Sequence, residues 1–432
     1  MDSDVVVEAR EMLACQVEAM PELPQLDFRV LSKSLKQDCL PYEEWRVEYR
    51  SEAPETMPDS AGQIVPAYLL VPRGPGVAPP FPAVLCFHQC NVDCLIGKDA
   101  VVGKTPGRRD QAYGYDLVNQ GFVVLAPDTL NCGERNLPSV RQRDEIFKCH
   151  EKLDEYLKPF PYKSVLDARR AVDTLEDLDF VDEKRIGVMG HSGGAAHALL
   201  AMAADPRIKV GVGSCPFVPH LKYLPLISPR PFFAFTGELE KRPTERTRML
   251  DTLLRNAALQ YERDGVANNL VDRRLPYAHA CPDEFKREAY AGLKRHLNIV
   301  PPRSGVDLGE LAREALRRCG FNPDDEGTFT ASGRPKHIKA NSEQLTTALQ
   351  ALIWRLQVKR EQESRFQVKL EWSERPRIVL SFPCADPEVH DRSDISEEVF
   401  LIDQWFFEHS AIVGRDHLPG QFRTVIDFTP IA

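Results

Sequence analysis

The stretch Gly190-His191-Ser192-Gly193-Gly194 holds the residue types that a nucleophilic serine needs, set between the apolar run Ile186-Gly187-Val188-Met189 and a small-residue run from Ala195 to Met202. A strand that becomes a helix within a few residues forces the corner residue into a strained backbone, and only small neighbours tolerate the close approach. Gly190 and Gly194 occupy the two glycine positions of G-x-S-x-G, which puts Ser192 at the tip with its hydroxyl exposed above the sheet. Ala195, Ala196 and Ala198 let the following helix pack closely against neighbouring strands. The competing reading is a glycine-rich strand-to-helix turn with an incidental serine.

A serine hydroxyl is a weak nucleophile at neutral pH. It requires a histidine base, and the base requires a carboxylate that holds its tautomer and stabilises the imidazolium. His279, in Leu275-Pro276-Tyr277-Ala278-His279-Ala280, follows one expected strand and precedes one expected helix, which is where such a base belongs. The acid is sought in Phe235-Thr236-Gly237-Glu238-Leu239-Glu240-Lys241, where two glutamates compete. Glu240 lies further into the loop, deep enough to turn back toward His279, and is preferred to Glu238. An oxyanion needs backbone donors: Gly193 supplies one N–H, and the loop after Ala83–Phe87 the other, most simply at Gln89. His191 reads as an elbow-shaping or pocket residue and His88 as a loop-orienting one. Cys90 and Cys94, with His88 nearby, fall short of the four well-spaced ligands of a closed zinc site, so no metal and no cofactor is expected.

These residues must be held by a sheet. Met1 to about Leu40 reads as a helical lead-in ending at the Pro21 and Pro24 breakers. Glu44–Tyr49 and Ile64–Val71 look like two entry strands, antiparallel to one another. Ala83–Phe87 is a short, continuous apolar run, as in a parallel strand buried on both faces. Strand-helix units then repeat: a helix at Tyr113–Asn119, a strand at Gly121–Ala126 ending in Pro127-Asp128, an amphipathic helix at Val165–Leu178, and the elbow strand. Strands at Ile208–Val212, Pro231–Thr236 and Leu270–Leu275 follow, with helices at Arg246–Tyr261 and Pro282–Leu297. The alternation predicts an α/β fold, a doubly wound and mostly parallel sheet with ligands bound outside the C-terminal strand ends. Ser192, Asp128 and the His88 loop all fall at such ends. A polar stretch over 129–163, with a short helix around Asp144–Leu157, is too long for a simple connection and reads as a lid or pocket wall.

At 432 residues the chain exceeds one ordinary core, and two domains are expected, 1–300 and 306–432, joined by Pro301-Pro302-Arg303-Ser304-Gly305. The net charge of -9 supplies no basic excess for phosphates, which argues against nucleic acid as a partner. No uncharged stretch approaches the ~20 apolar residues of a membrane span, so no membrane role is expected. The N-terminus has no basic region followed by an apolar run, and the 11 cysteines form no C-x-x-C pairs, which fits a reducing cytoplasm.

The marks Phe87-His88-Gln89, Val124-Leu125-Ala126-Pro127-Asp128 with Gly133-Glu134-Arg135, Asp167-Ala168-Arg169-Arg170-Ala171, the run Arg185 to Gly194, and Tyr277-Ala278-His279 cover roughly residues 40–300. As a set they resemble the dienelactone-hydrolase-like branch of the α/β-hydrolases, near acetyl-xylan-esterase and cephalosporin-deacetylase types and the catalytic domain of prolyl-oligopeptidase-like peptidases. The resemblance implies an α/β-hydrolase fold whose triad runs in the order Ser192, Glu240, His279. That family usually carries aspartate where this chain has glutamate. Asp167 and Arg169 then read as structural ion-pairing residues.

The tail carries helices at Asp307–Arg318 and Ser342–Val358, strands at Phe366–Trp372 and Arg377–Phe382, a helix at Phe400–Ala411 and a strand at Phe422–Phe428. This α+β order, with Asn341-Ser342-Glu343-Gln344-Leu345, resembles a degenerate ATP-binding domain of sensor histidine kinases. The metal-binding asparagine position falls at Arg355, and Phe382-Pro383-Cys384-Ala385-Asp386-Pro387 replaces the glycine-containing aspartate motif, so no nucleotide site is carried over. Such a module implies a docking surface for a protein partner or a homodimer. The expectation for the whole is a serine hydrolase of small acyl esters acting through an acyl-enzyme. A serine peptidase, or a regulatory scaffold using the core as a binding module, are the alternatives.

Overall fold

The structure is a computed structural model, described for residues 7, 9–11, 13–14, 25–36, 41–52, 63–73, 78–90, 95–106, 109–130, 132–135, 160–298, 304–325, 328–332, 337–340, 345–346, 348–350, 352–353, 367–371, 376–383, 411–418 and 421–428. Two compact units emerge. The first comprises Met1–Gln37, Pro41–Arg73 and Val77–Ile299, and the second Asp38–Leu40, Gly74–Gly76 and Val300–Ala432.

The first unit is built on a 9-stranded sheet in the order β1-β2-β3-β5-β4-β6-β7-β8-β9. Its strands are β1 (Phe28–Lys36), β2 (Tyr42–Arg50), β3 (Ile64–Pro72), β4 (Phe81–Phe87), β5 (Val123–Pro127), β6 (Val181–His191), β7 (Ile208–Ser214), β8 (Phe232–Gly237) and β9 (Leu270–Leu275). From β5 through β9 every neighbouring pair is parallel, whereas β1, β2 and β3 pair antiparallel and join the rest through β3 and β5. All residues of β4 are buried although its side chains alternate, so both faces of the sheet are covered there. The α/β expectation therefore holds, with the crossover after β5 putting β4 at the centre.

The helices of this unit are α1 (Tyr113–Val118), α2 (Phe160–Glu176), α3 (Gly193–Ala204), α4 (Thr244–Arg263) and α5 (Asp283–His296). Ala168, Val172 and Leu175 of α2, Ala198 and Met202 of α3, and Leu250 and Leu254 of α4 share one apolar core with the strands. The one-face spacing of these residues makes α2 and α4 amphipathic, whereas α3 is apolar and buried from Gly194 to Met202. Among the described N-terminal residues, Ala9 and Leu13 pack on Val165, Leu200 and Tyr223.

The structure corrects the lead-in. Residues 7–14 contain helical positions, but Phe28–Lys36 is a strand, not part of a helix, so three antiparallel strands enter the sheet where two were expected. The pairing of β1 with β2 shifts between Val30 and Ser32, and this bulge breaks the period-two alternation by which a strand is recognised. At the other side, β9 exposes Asp272, Arg273 and Arg274. The helix expected around Asp144–Leu157 lies outside the described residues.

In the second unit, β10 (Ser304–Asp307) pairs antiparallel with β12 (His337–Ala340). A 5-stranded sheet runs β11-β13-β14-β16-β15, formed by β11 (Phe329–Ser332), β13 (Gln367–Glu371), β14 (Arg377–Pro383), β15 (Ala411–Leu418) and β16 (Gln421–Phe428). Helix α6 (Leu308–Arg318) opens on Asp307, whose side chain accepts from the N–H groups of Gly309 and Glu310. Leu311, Ala315, Leu345, Leu349, Val368 and Ile426 belong to its core. The helix expected over Phe400–Ala411 is corrected at its end, since Ala411 opens β15 opposite Phe428; its other residues lie outside the described set. The short strands β10, β11 and β12 were not expected: four residues each give too few alternations to stand out from loop sequence.

Candidate active site

Strand β6 stops at His191, and Ser192 takes φ 55 and ψ -117 before α3 begins. This left-handed backbone is strained for a residue with a side chain and survives only when its surroundings over-determine it. They do so here. The Ser192 N–H donates to the Ser214 carbonyl at 2.7 Å, and the Ser192 carbonyl accepts from Ala195 and Ala196 at 3.1 and 3.3 Å. A Cβ on Gly190 would collide with the Gly194 carbonyl, and one on Gly194 with the Phe87 carbonyl at the end of β4. The two motif glycines are thus steric requirements, and the β4 loop lies directly against the elbow.

In that loop His88 is buried, and the direction of its bonds fixes its tautomer. The Thr129 N–H donates to Nε2 at 3.0 Å, so Nδ1 carries the proton and donates to the Gln89 carbonyl at 2.9 Å. Burial lowers its pKa, keeping it neutral. Both ring nitrogens are committed, which leaves His88 as a loop-holding residue and unsuited to bind metal. A Cβ on Gly193 would meet Cys90 Sγ at 2.5 Å and Cys90 N at 3.4 Å. The backbone facing Gly193 is therefore that of Cys90, one residue beyond the expected Gln89.

His279 and Glu240 are brought together. Nδ1 of His279 lies 2.8 Å from Glu240 Oε1, and the other carboxylate oxygen of Glu240 accepts from Arg242. The two loops are zipped by backbone bonds, Glu238 N–H to Leu275 O at 2.8 Å and Leu239 N–H to Tyr277 O at 3.0 Å. Spending the Glu238 N–H on β9 turns its side chain to solvent, while Glu240 is left facing the histidine. The helix that follows the histidine is anchored from below: Asp116 of α1, fully buried, accepts from Lys286 at 3.1 Å and Tyr290 at 2.8 Å on α5, and from Arg109 at 2.8 Å.

Cys215 was not singled out by sequence. It follows β7 with φ 46, its N–H donates to the Phe235 carbonyl at 2.7 Å, and its buried thiol sulfur lies within 4.8 Å of a ring nitrogen of His279 and a carboxylate oxygen of Glu240. The neighbouring Cys215 first and Glu240 second push the His279 pKa up to about 9 against the opposing pull of burial. For Glu240, burial raises the pKa, but the bond and charge of His279 and the charge of Arg242 prevail and hold it below the ordinary carboxylate value. His191 lies closer to His279 than its place beside the serine suggested: its ring is 4.9 Å from that of His279, and its Nδ1 is 3.1 Å from Ser214 Oγ. Among the described residues no hydrogen bond joins the Ser192 hydroxyl to His279; in a resting site such bonds are often open and tighten on substrate binding.

Asp128 and Asp167 are taken up by ion pairs. Lys98 Nζ is 2.5 Å from Asp128 and 2.6 Å from Glu134, and Asp167 receives Arg135 at 2.6 Å and Lys163 at 2.9 Å.

Residues 106–338, more than half of the chain, match the Alpha/beta hydrolase family. The chain belongs to the α/β-hydrolase family. Membership agrees with the mostly parallel sheet. A relative named "Putative hydrolase YtaP", from Bacillus subtilis (strain 168), is 29% identical over 199 residues, covering 45% of this chain and 63% of that protein. Among solved α/β-hydrolase-like structures, a glucuronoyl esterase from Solibacter usitatus has a TM-score of 0.47 at 15% identity, covering 67% of this chain and 91% of its own. An acetyl xylan esterase from Paenibacillus sp. R4 gives 0.42 at 14%, covering 68% and 94%. The resemblance of residues 306–432 to a histidine-kinase ATP-binding domain finds no support in these likenesses. Among the described residues no helix is long and apolar enough to cross a membrane.

Proposed function

We propose that this α/β-hydrolase-family protein is a serine hydrolase of carboxylic esters with a Ser192-His279-Glu240 triad. The observation that carries the reading is the 2.8 Å bond between Glu240 and His279 in loops beside a serine held at φ 55. In this reading Ser192 Oγ attacks the acyl carbon while His279 Nε2 takes its proton. Glu240 holds the Nδ1 proton and so keeps Nε2 free to accept. The developing oxyanion is received by backbone N–H groups of Gly193 and of the β4 loop, Gln89 being the expected donor and Cys90 the neighbouring one. The protonated ring then gives its proton to the leaving alkoxide. Water, activated by the same ring, hydrolyses the acyl-enzyme.

The test is hydrolysis of aryl esters from acetate to octanoate by the full chain and by Ser192→Ala, together with labelling by a phosphonate serine reagent. Turnover and labelling that both vanish in Ser192→Ala support the triad, with a loss of roughly 10⁴–10⁶-fold in kcat expected from comparable triads. Labelling that persists undiminished in the variant would sink it. Turnover of aminoacyl amides but not of esters would move the scissile bond to peptides.

A further inference from the structure

Three consecutive parallel strands each end in a loop that contributes one donor to a single point: Cys215 after β7, Glu240 after β8 and His279 after β9. Strands in a sheet stand about 4.8 Å apart, so equivalent positions just beyond adjacent strand ends lie within side-chain reach. Here a thiol sulfur, a carboxylate oxygen and an imidazole nitrogen all lie within 4.8 Å of one another. A tetrahedral zinc ion, with bonds of about 2.0–2.3 Å, sets its ligand atoms some 3.3–3.8 Å apart, so closing the cluster takes about 1.5 Å of movement or less. The movable member is His279, whose side chain is 44% exposed, while the Cys215 backbone is pinned by its bond to Phe235.

We infer that Cys215, Glu240 and His279 form a binding site for a thiophilic divalent cation, zinc foremost, and that metal binding switches the hydrolytic site off. The regulatory half of this inference rests on the serine-hydrolase reading. The donor set is the argument for zinc: thiolate, imidazole and carboxylate are its usual ligands, whereas magnesium and calcium prefer oxygen alone. Glu240 keeps one oxygen on Arg242 and offers Oε1, the oxygen now bonded to His279, to the metal. The protons balance as follows. The thiol releases one, and a neutral His279 moves its ring proton from Nδ1, now a ligand, to Nε2; an imidazolium releases its Nδ1 proton as well. The ring is then protonated at Nε2 and cannot accept a proton from Ser192.

The test uses the full chain stripped with a chelator, with zinc and cadmium ions as probes. Equilibrium dialysis measures zinc binding, the cadmium–thiolate charge-transfer band reports sulfur ligation, and phosphonate labelling of Ser192 is followed with and without zinc. One tight zinc equivalent is expected in the wild type and in Ser192→Ala, whose serine is not a ligand. Cys215→Ala should weaken zinc by at least about 100-fold, the upper end of what loss of mere outer-sphere support costs, and should remove one cadmium–thiolate band equivalent. Cys215→Ser, closer in shape, gives the same comparison should the alanine variant fail to fold. Zinc should slow phosphonate labelling and a chelator restore it. Equal zinc affinity in wild type and Cys215 variants overturns the site, as does the absence of zinc binding. Labelling without zinc binding leaves the serine reading standing alone; zinc binding without labelling of metal-free protein removes that reading and its regulation while keeping the metal site.

Discussion

Across 39 residues of sequence, His279 Nδ1 and Glu240 Oε1 meet at 2.8 Å, so of two neighbouring glutamates it is Glu240 that reaches the histidine. Glu238, though nearer the strand end, spends its N–H on Leu275 and exposes its side chain. Glu240→Gln should therefore lower ester turnover by roughly 10⁴-fold, as loss of the tautomer-holding carboxylate does in a serine triad. Glu238→Gln should stay close to the wild type. Steady-state kcat of the two variants checks this, and the reverse ranking would reassign the acid.

The raised pKa of His279 sets the direction of the pH response. Only the unprotonated ring accepts a proton, so kcat/KM for an aryl ester should climb with pH and level off above about 9. The nearby thiol of Cys215 is the largest cause of that displacement. In Cys215→Ala the midpoint should move down toward the ordinary histidine value of 6.5, raising the fraction of active enzyme at neutral pH. Identical midpoints in the two proteins would show that the thiol does not act on the base.

The same pair makes a stability prediction with a definite window. A histidine whose folded pKa is raised stabilises fully below its unfolded value of 6.5 and loses that contribution as pH rises through about 9. A depressed glutamate stabilises above its unfolded value of 4.5 and loses the contribution as pH falls through its lower folded value. The melting-temperature gap between wild type and Glu240→Gln should be widest between those two unfolded values and narrow on either side. A gap independent of pH would mean that packing, not charge, holds the loops together.

Asp116 is predicted to be structural. Asp116→Ala removes a carboxylate from the buried ammonium of Lys286 and from Tyr290, unfastening α1 from α5. Breaking one side of a buried pair costs about 3–5 kcal/mol. Denaturant unfolding measures the loss, and a change below about 1 kcal/mol, the scale of an exposed pair, would show that the tie carries little.

What the sequence revealed depended on contiguity. The elbow was legible because Gly190, Ser192 and Gly194 are neighbours in the chain, so one local steric demand writes the whole signal. His279 and Glu240 were found by their offsets past strand ends, which a strand-helix alternation makes countable. Cys215 was invisible: its role depends on a φ of 46 that aims one buried thiol at two residues from other loops, and no spacing encodes that. Cys90 was likewise seen only as a thiol, because its place opposite Gly193 follows from how the β4 loop abuts the elbow. Strand β1 was lost to its bulge, and β15 to a reading that ran a helix into Ala411.

The outer strands of the nine-stranded sheet carry a consequence beyond the site they support. β1 presents Arg29, Lys33 and Lys36 along a bulged edge, and β9 presents Arg273 and Arg274, which are turned onto Glu288 of α5 and Asp251 of α4. An incoming strand would have to align its backbone with a kinked ladder on one side and crowd against clamped guanidinium groups on the other. Sheet growth is thereby discouraged at both margins: the same ladder that brings the loops of Cys215, Glu240 and His279 into register is kept from templating fibres of its own kind.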